Sequence, residues 1–546
     1  MRLGLYFHTL RYLRFRQIFF QVLRRVYRSK PQKINFIPKL RTAKFFFITP
    51  CLKRKSLDGP KTFNFFNELG NLDNIRWDGR EKEKLWRYNQ NYFDDLNAEN
   101  AKERLNWHKN LLENWVLENS LGNTVGWDPY PLSLRAINWI KWDLREKELT
   151  DNCKKSLFMQ GLFLEKNLEY HILGNHLFSN AKALIFLGCY FDNPEADRWL
   201  NLGIEIISTE INEQVLGDGG NYELSPMYHN IFLEDILDLI NILKAFEFNS
   251  QHIQLMGVID FKVIKMIEWM SKMMFIDGTI SSFNDSANNV AITPLKIIDY
   301  SHRLGFQLSE EEHPKNIICN HLKDSGYVAI QKDKLKMIID VGKLGPDYLL
   351  AHSHADTLSF ELAMANERIF VNSGTSCYGI NERRLFERST KAHNTVEVDN
   401  SSSSEVWSSF RVAKRAYPKN LVLKVNTEEV FIKCSHDGYQ KILKGKINHS
   451  RSWKVSNKKI TIKDKVDGRY KSATARFILH NKIKINQISE NSLILITNGG
   501  KSLKFDIKNG KIKIIKWMHS TEFGVLKSTK CIEVSLIEGI SLVELS

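Results

Sequence analysis

The sequence has few of the features that mark a disulfide scaffold or an integral membrane protein. Its seven cysteines are scattered through 546 residues without a CxxC pair, which argues against a disulfide framework and predicts free thiols. No stretch is apolar for long enough to span a bilayer. Arginines interrupt the first 30 residues, which have neither the apolar run nor the cleavage site of a usual signal peptide. We therefore expect a cytoplasmic or inner-membrane-associated protein, with a periplasmic location as the alternative.

Positive charge is in excess, at a formal net charge of +16 and a pI of about 9.3. This favours a polyanionic partner, which is a nucleic acid, an anionic lipid or an acidic polysaccharide. No nucleic-acid-binding motif accompanies the charge, so no nucleic-acid partner is predicted. Over Lys454 to Lys465 the lysines alternate with apolar residues, which is typical of the solvent face of strands.

The N-terminus reads as a basic amphipathic helix, with Arg11, Arg14 and Arg16 among its basic residues. Such a helix lies on an anionic membrane or docks on its own domain. Both alternatives stay open, and residues 1–80 are assigned to a basic N-terminal helical segment.

The rest of the chain divides into a helical and a strand-rich half. Residues 81–315 carry apolar residues at three- and four-residue spacing, which predicts stacked helices. Residues 316–546 contain short alternating runs separated by turns such as Asp437-Gly438, Asn498-Gly499-Gly500 and Asn509-Gly510, which predict an antiparallel β-sandwich. The predicted fold class is multidomain α+β.

Three histidines near a Gly-containing turn are the most informative residues of the chain. His352 and His354 lie two residues apart, so on a strand they share one face. Asn372 opens the segment Asn372-Ser373-Gly374-Thr375, and His393 follows some 20 residues later. Such a cluster can hold a metal ion or place an imidazole beside a substrate.

Two segments of the helical half carry candidate chemistry. Asn175 and His176 lie at the predicted start of a helix, where N–H groups attract anions; the alternative is that Asn175 only caps the helix. Further on, Ser225 is a good N-cap and Pro226 a good first residue. That places Tyr228 in a first turn, where the helix dipole is expected to lower its pKa from about 10. The alternative is a packed aromatic.

Trp127 and Arg135 belong to a third segment that is also rich in aromatic and polar residues. It is interpreted as a platform for a sugar or a carboxylate, or equally as a packed corner of the domain.

Taken in order, these segments resemble the heparinase II/III superfamily of polysaccharide lyases and also the oligoalginate lyases. The resemblance runs from about Trp86 to beyond Phe410. It is carried by Arg135 with Asn138-Trp139, Asn175-His176, Glu223 to His229, His352 to Asp356, Asn372 to Thr375 and His393-Asn394-Thr395. It implies an incomplete N-terminal α/α toroid followed by antiparallel β-sheets, and cleavage of an acidic, uronate-containing glycan by β-elimination.

The resemblance also implies roles for individual residues. Asn175 and His176 would bind the uronate carboxylate, whose charge must be neutralised before the C5 proton can leave. Tyr228 would abstract the C5 proton, protonate the leaving oxygen, or do both, and His352 would be the second acid or base. The substrate-binding candidates are Arg135, Trp127, Tyr222, Glu223 and Arg388.

A structural zinc ion is implied less directly. His354 and His393 match two zinc ligands of such lyases, but Asn372 stands where the third ligand is usually Asp, and an amide oxygen is a poorer zinc ligand. Ser179 is a second departure, because many relatives have Glu there.

Two other functions remain as alternatives. The departures at Asn372 and Ser179 would fit a glycan-binding or polysaccharide-assembly protein that has the lyase fold but reduced or no catalysis. A glycoside hydrolase would need a carboxylate pair across the scissile bond, and Asp218, Glu223 and Asp285 show no convincing spacing for one.

Overall fold

The structure is a computed structural model that describes residues 2–27, 29–119, 122, 124–246, 250–307 and 316–546. Two helices open the chain, α1 (Arg2–Leu10) and α2 (Phe15–Val26). They are followed by a small antiparallel sheet of β1 (Leu57–Gly59), β2 (Thr62–Phe65) and β3 (Glu68–Asn71).

The small sheet corrects the prediction that residues 1–80 are a helical segment. Phe63 and Phe65 alternate with polar residues, which is the two-residue period of a strand, and both rings pack on Trp86 of the helical half. This alternation is only four residues long. The whole segment was therefore predicted to be helical, from the basic helical pattern that precedes it.

Helices then follow one another as far as Arg303. They are α3 (Leu72–Ile75), α4 (Lys84–Gln90), α5 (Leu105–Glu118), α6 (Pro129–Glu146), α7 (Asp151–Glu165), α8 (Gly174–Tyr190), α9 (Pro194–Gln214), α10 (Pro226–Phe246), α11 (Ser250–Met273) and α12 (Pro294–Arg303). Short 3-10 helices span Asp94–Asn97, Ala101–Arg104 and Val125–Trp127. α8 packs against α6, α9 and α10 and is buried along most of its length, so it forms the centre of the helical toroid.

Strands dominate from residue 318. They are β4 (Ile318–Leu322), β5 (Tyr327–Lys332), β6 (Leu335–Asp340), β7 (Phe360–Met364), β8 (Glu367–Phe370), β9 (Val396–Val398), β10 (Val406–Trp407), β11 (Arg411–Val412), β12 (Pro418–Val425), β13 (Glu429–His436), β14 (Asn448–Ser456), β15 (Ile460–Asp467), β16 (Ala473–Ile478), β17 (Lys484–Ser489), β18 (Ser492–Ile496), β19 (Ser502–Asn509), β20 (Lys511–Glu522), β21 (Val525–Ser535) and β22 (Ile540–Leu545). Two helices, α13 (Glu382–Arg388) and α14 (Gly438–Ile442), and a 3-10 helix at Thr390–Ala392 interrupt them.

The strands form antiparallel sheets that pack face to face. β4 to β8 follow one another in one sheet; the others run β12-β13-β14-β15-β22-β19-β18-β17, β20-β21-β16-β9 and β10-β11. Phe360 and Phe370 of the first sheet pack on Phe477 of β16, and Phe370 also packs on Phe505 of β19. One apolar core therefore lies between the sheets, and the predicted toroid followed by a β-sandwich is confirmed.

The structure can be compared with two local predictions, the lysines on the solvent face of strands and the turns between strands. In β15 the side chains alternate between buried and exposed, with Lys463 and Lys465 on the outside. The Asn498 and Asn509 turns join strands as predicted, whereas Asp437-Gly438 leads into α14.

The division of the chain at residues 80 and 315 stays a prediction. In the part of the chain described here, no helix is both apolar and long enough to cross a bilayer.

Candidate active site

The candidate site lies where the helical toroid meets the β-sandwich. Tyr228 is in the first turn of α10, as predicted, and its backbone N–H donates to Ser225 Oγ at 3.2 Å. His352 comes from the loop between β6 and β7, not from a strand as expected. The two rings stack with centroids 3.8 Å apart. The structure therefore brings together a phenol and an imidazole that are 124 positions apart in the sequence.

Asp285 fixes the orientation of His352. Its carboxylate lies 3.0 Å from His352 Nδ1 and 2.8 Å from His354 Nε2, and Arg384 donates to both of its oxygens. Burial opposes ionisation of Asp285, but the Arg384 guanidinium and these hydrogen bonds outweigh it and hold the pKa well below its usual range. An ionised carboxylate only accepts hydrogen bonds. The His352 Nδ1 atom is therefore the protonated one, and Nε2 is free to accept a proton.

The expected low pKa of Tyr228 is wrong. Burial raises it well above 10, and the neighbouring Tyr378 and Asp285 raise it further. Desolvation of a phenolate at the domain junction exceeds the stabilisation available from one helix dipole. The Tyr228 hydroxyl lies 3.3 Å from that of Tyr378. The resting phenol is therefore neutral, which suits a proton donor.

The start of α8 is built differently from the expectation. The helix begins at Gly174, so Asn175 and His176 do lie in its first turn, but the N-cap is Leu173 and Asn175 is no cap. The Asn175 backbone N–H lies close enough to the Glu223 carboxyl group to oppose the burial that raises its pKa. Gly174 has φ +59°, and a Cβ there would come within 2.7 Å of Leu349 and 3.1 Å of Glu223. A carboxyl group of the protein thus already lies beside this helix terminus.

His176 is held from two sides. Its Nδ1 lies 3.2 Å from Glu169 Oε2, and its ring stacks on Tyr130 with centroids 4.4 Å apart. Glu169 is buried, which opposes ionisation, yet its pKa is lowered by His176 and by the Asn180 amide. A carboxylate on one side of the ring fixes which imidazole nitrogen faces the cleft.

Glu223 and Tyr222 lie in the turn before α10. Both side chains are buried. Glu223 Oε2 is 3.6 Å from His352 Nε2, so this carboxylate joins the same site. Burial raises the pKa of Glu223, although His352 and the Asn175 N–H oppose the shift. Burial also raises the pKa of Tyr222 well above 10, so Tyr222 is a neutral neighbour of the site.

Arg135 and Trp127 are wrongly predicted as substrate contacts. The Arg135 side chain is inaccessible, donates to Gln160 Oε1 at 3.0 Å and lies over the Trp115 ring. Trp127 donates to the Asn119 carbonyl at 2.6 Å and is 3% exposed. Of the two interpretations of this segment, the packed corner is the one that the structure shows.

Arg388 is also no surface contact for substrate. It is buried and donates to the Ser353 carbonyl at 2.9 and 3.1 Å and to the Ser409 carbonyl at 2.9 Å. Burial lowers the pKa of Arg388 to about 9. Its contacts brace the loop that carries His352.

The predicted metal residues meet but do not complete a zinc site. His354 Nδ1 lies 3.2 Å from His393 Nε2, and burial keeps the pKa of both imidazoles low. The third donor is weak, because Asn372 Oδ1 already accepts the Asn394 N–H at 3.2 Å. Over the described ranges, no group of three His, Cys, Asp or Glu side chains is arranged to hold a metal ion. Two imidazoles sharing a proton account for the geometry, and zinc binding stays a prediction.

Sequence reasoning missed several residues that complete the site. Tyr378 lies between the Gly374 turn and α13, Arg384 lies within α13, and Glu169 precedes Asn175 by six residues. The signal that could have found them is that they lie close in sequence to the segments predicted to form the site. Asp285 was considered only as a hydrolase carboxylate, because nothing in its local sequence shows that Arg384 and two histidines converge on it.

Comparison with solved structures defines the class of fold. A structure of heparinase III covers 85% of this chain and 76% of that chain with a TM-score of 0.66 at 16% identity. The heparan sulfate lyase HepC from Pedobacter heparinus covers 89% and 80%, with a TM-score of 0.56 at 16% identity. At these identities the likeness shows the architecture alone, which is that of the toroid and β-sandwich lyases.

Family models give the narrower assignment. The model for the heparinase II/III N-terminus matches residues 143–299, and the model for the heparinase II/III-like C-terminal region matches residues 316–538. The chain belongs to the heparinase II/III family.

Among curated relatives, a heparin-sulfate lyase from Bacteroides stercoris is 29% identical over 278 residues, 47% of this chain and 40% of that protein. One from Pedobacter heparinus is 24% identical over 243 residues, 42% and 36%. The matches thus span less than half the length of these relatives.

Proposed function

We propose that the protein is a polysaccharide lyase that cleaves an acidic, uronate-containing glycan by β-elimination. The observation that carries this proposal is the stacked pair of Tyr228 and His352, with the His352 tautomer set by Asp285. One ring comes from each half of the molecule, so a sugar in the cleft between the halves would meet both. Family membership and the fold support the same activity.

In the proposed reaction Asn175 and His176 bind the uronate carboxylate and offset its charge. That neutralisation stabilises the carbanion that forms when the C5 proton leaves. Because its Nδ1 already donates to Asp285, His352 accepts the C5 proton at Nε2. The electron pair of the C5–H bond forms the C4–C5 double bond while the C4–O bond breaks.

Tyr228 is then the donor to the departing glycosidic oxygen. Its raised pKa keeps it protonated in the resting site, and stacking on His352 holds the hydroxyl beside the base. Of the roles open to Tyr228 by resemblance, proton donation is the one that the neutral phenol favours. When the product leaves, His352 releases the proton that it took from C5 to solvent and the phenolate takes one up, which restores both groups.

Hydrolysis fits the site less well. Both Asp285 oxygens are occupied by Arg384 and the histidines, and the Asp218 carboxylate accepts the backbone N–H groups of Asp324 and Ser325. No pair of free carboxylates therefore faces a glycosidic bond among the three acids considered from the sequence.

The test is to incubate the purified protein with a panel of uronate polymers and follow the ultraviolet absorbance. Elimination leaves a conjugated 4,5-unsaturated uronate that absorbs, whereas hydrolysis produces reducing ends without absorbance. New reducing ends without absorbance would refute elimination. Saturable binding of a polymer without either product would favour the glycan-binding alternative.

A further inference from the structure

The N-terminal 57 residues carry most of the excess charge of the protein. They contain fifteen Lys and Arg residues and no Asp or Glu, since the first acidic residue is Asp58. The formal net charge of the whole chain is +16. Charge concentrated in this way is attracted to an anionic surface.

One face of α2 is fixed to the protein. The Gln17 amide is buried and donates to the Tyr348 carbonyl at 3.3 Å. Phe20 packs on Tyr170 at 4.8 Å between ring centroids. Arg24 Nη1 lies 2.6 Å from His171 Nε2. Of the two alternatives given for this helix, the structure shows docking on its own domain through this face.

α1 is fixed to the β-sandwich. Tyr6 packs edge-on against Trp407 with centroids 4.9 Å apart. The Trp407 indole donates to Thr9 Oγ1 at 3.0 Å. The two helices therefore have a defined orientation, so the face that each leaves uncovered is also defined.

The opposite face of α2 is apolar and exposed. Phe15 is 81% exposed, Phe19 49%, Val22 55% and Val26 83%. Their spacing of four, three and four residues aligns them in one stripe, on the side away from Gln17. α1 has a matching pair, with Leu3 86% and Phe7 63% exposed. These six residues are called the N-terminal apolar face.

We propose that the N-terminal apolar face docks the protein on an anionic membrane. Amphipathic helices lie in the interface with the apolar stripe among the acyl chains and basic side chains at the headgroups. Arg25 flanks the α2 stripe by helical position and is exposed, whereas Arg16, on the other flank, is exposed but lies over the Tyr170 ring at 3.9 Å. A second copy of the chain is a poorer occupant, because pairing would bring two such basic segments together.

Docking in this orientation places the cleft beside the bilayer. The carbonyl of Tyr348 accepts the Gln17 bond, and the Tyr348 ring lies 6.4 Å from the ring of Tyr222, a neighbour of the site. α2 thus attaches close to the candidate active site. A glycan held at the membrane surface would have a short path to that cleft. The docking itself does not depend on the proposed activity.

The test uses the full-length protein and phosphatidylcholine vesicles with and without phosphatidylglycerol, read by flotation. Wild-type protein should float with the anionic vesicles only, and added salt should release it. The double variant Phe15→Ser, Phe19→Ser should bind at least about ten-fold more weakly. The matched control Val425→Ser, Ile488→Ser removes exposed apolar residues elsewhere and should bind as wild type does.

Three outcomes would overturn the proposal. They are equal flotation with neutral vesicles, unchanged flotation of the Phe15 and Phe19 variant, and a wild-type dimer that this variant converts to a monomer without any vesicle binding. The last result, read by light scattering, would assign the face to a second copy. Circular dichroism of the variant checks its fold. Because flotation needs no substrate, a missing lyase activity would not affect the result.

Discussion

At the residue scale, the position of Tyr228 in its helix was predicted correctly from the sequence, but its pKa was not. Ser225 and Pro226 located the helix start, and thereby the phenol, because caps are local signals. The pKa of Tyr228 was wrongly predicted, because it depends on burial by Tyr378 and the β-sandwich, which are about 150 positions away. Local sequence does not contain that information.

Replacing Tyr228 by Phe removes the proposed proton donor and keeps the ring that stacks on His352. We expect kcat to fall by about 10²- to 10⁴-fold, with glycan affinity little changed. Steady-state rates and titration calorimetry measure the two effects. Tyr470→Phe, which loses a hydroxyl in the β-sandwich far along the chain, is the control and should keep wild-type kcat. Near-normal turnover by the Tyr228 variant would remove this phenol from the mechanism.

The pH dependence tests the protonation state of the same phenol. A proton donor works in its protonated form, and a raised pKa extends that form to higher pH. We therefore expect kcat to stay constant at alkaline pH until the pH exceeds about 10, the ordinary pKa of tyrosine. The measurement is a pH–rate profile on a uronate polymer. An alkaline fall centred at a lower pH that is absent in Tyr228→Phe would show a lowered pKa instead.

At the scale of single elements, helices and strands with a clear period were predicted well. Leu132 to Leu144 carry apolar residues at helical spacing and lie inside α6, and the alternating residues Ala475 to Ile478 lie in β16. Lys155 to Leu173 also have helical spacing, but α7 ends at Glu165. Loop residues without a period, such as Asp285, had no signal for their partners. The site therefore depends most on the segments that were least predictable.

The start of α8 gives a prediction for Glu169, the residue that positions His176. Glu169→Gln removes the charge beside His176 Nδ1 and weakens the hold on the ring. Loss of a charged partner 3.2 Å from a buried ring nitrogen costs on the order of 1–3 kcal/mol, so kcat/KM should fall by about ten- to a hundred-fold. The control is Glu210→Gln, a buried carboxylate of α9 whose pKa burial already raises. Equal rates for the Glu169 variant and wild type would refute a positioning role.

The His354 cluster gives a prediction for stability. His354→Ala deletes a buried partner of both Asp285 and His393, which should cost about 2–4 kcal/mol and lower the melting temperature. His302→Ala, an exposed histidine at the end of α12, should leave it unchanged. Treating the protein with a chelator before melting also tests for zinc. A melting temperature that falls for wild type but not for His354→Ala would show bound metal. An unchanged melting temperature of the variant would contradict the structural role.

At the scale of the whole molecule, the two halves share an apolar cluster and several buried hydrogen bonds, and the Asp285 carboxylate is the junction contact that also reaches the candidate site. Asp285 belongs to the helical half, and its partners Arg384, His352 and His354 belong to the β half. The same contact that sets the His352 tautomer is therefore also part of the junction between the halves. Stability of the domain junction and competence of the site are coupled through it.

This coupling predicts how the protein melts. Wild type should unfold in one calorimetric transition, whereas Asp285→Asn should lose about 3–5 kcal/mol and show two, because Arg384 is left as an unpaired charge at the junction. Asp464→Asn is the matched control, since Asp464 is equally buried and pairs with Arg451 and His449 inside the β-sandwich. It should lower the transition temperature without splitting it. Two transitions in both variants would contradict a special role for Asp285.

Acid should have the same effect as the Asp285 substitution. The folded pKa of Asp285 lies below the unfolded value of about 4. Its ionised form therefore stabilises the fold fully above the unfolded value, and this contribution is lost as the pH falls toward the folded pKa. We expect the single wild-type transition to separate into two below about pH 4, while Asp285→Asn, which has no proton to bind there, shows two at every pH. A wild-type transition that stays single in acid until both halves are unfolded would mean that the other junction contacts, such as the Tyr327 hydroxyl to the Leu224 carbonyl and the Trp269 indole to Ser325 Oγ, hold the halves together without Asp285.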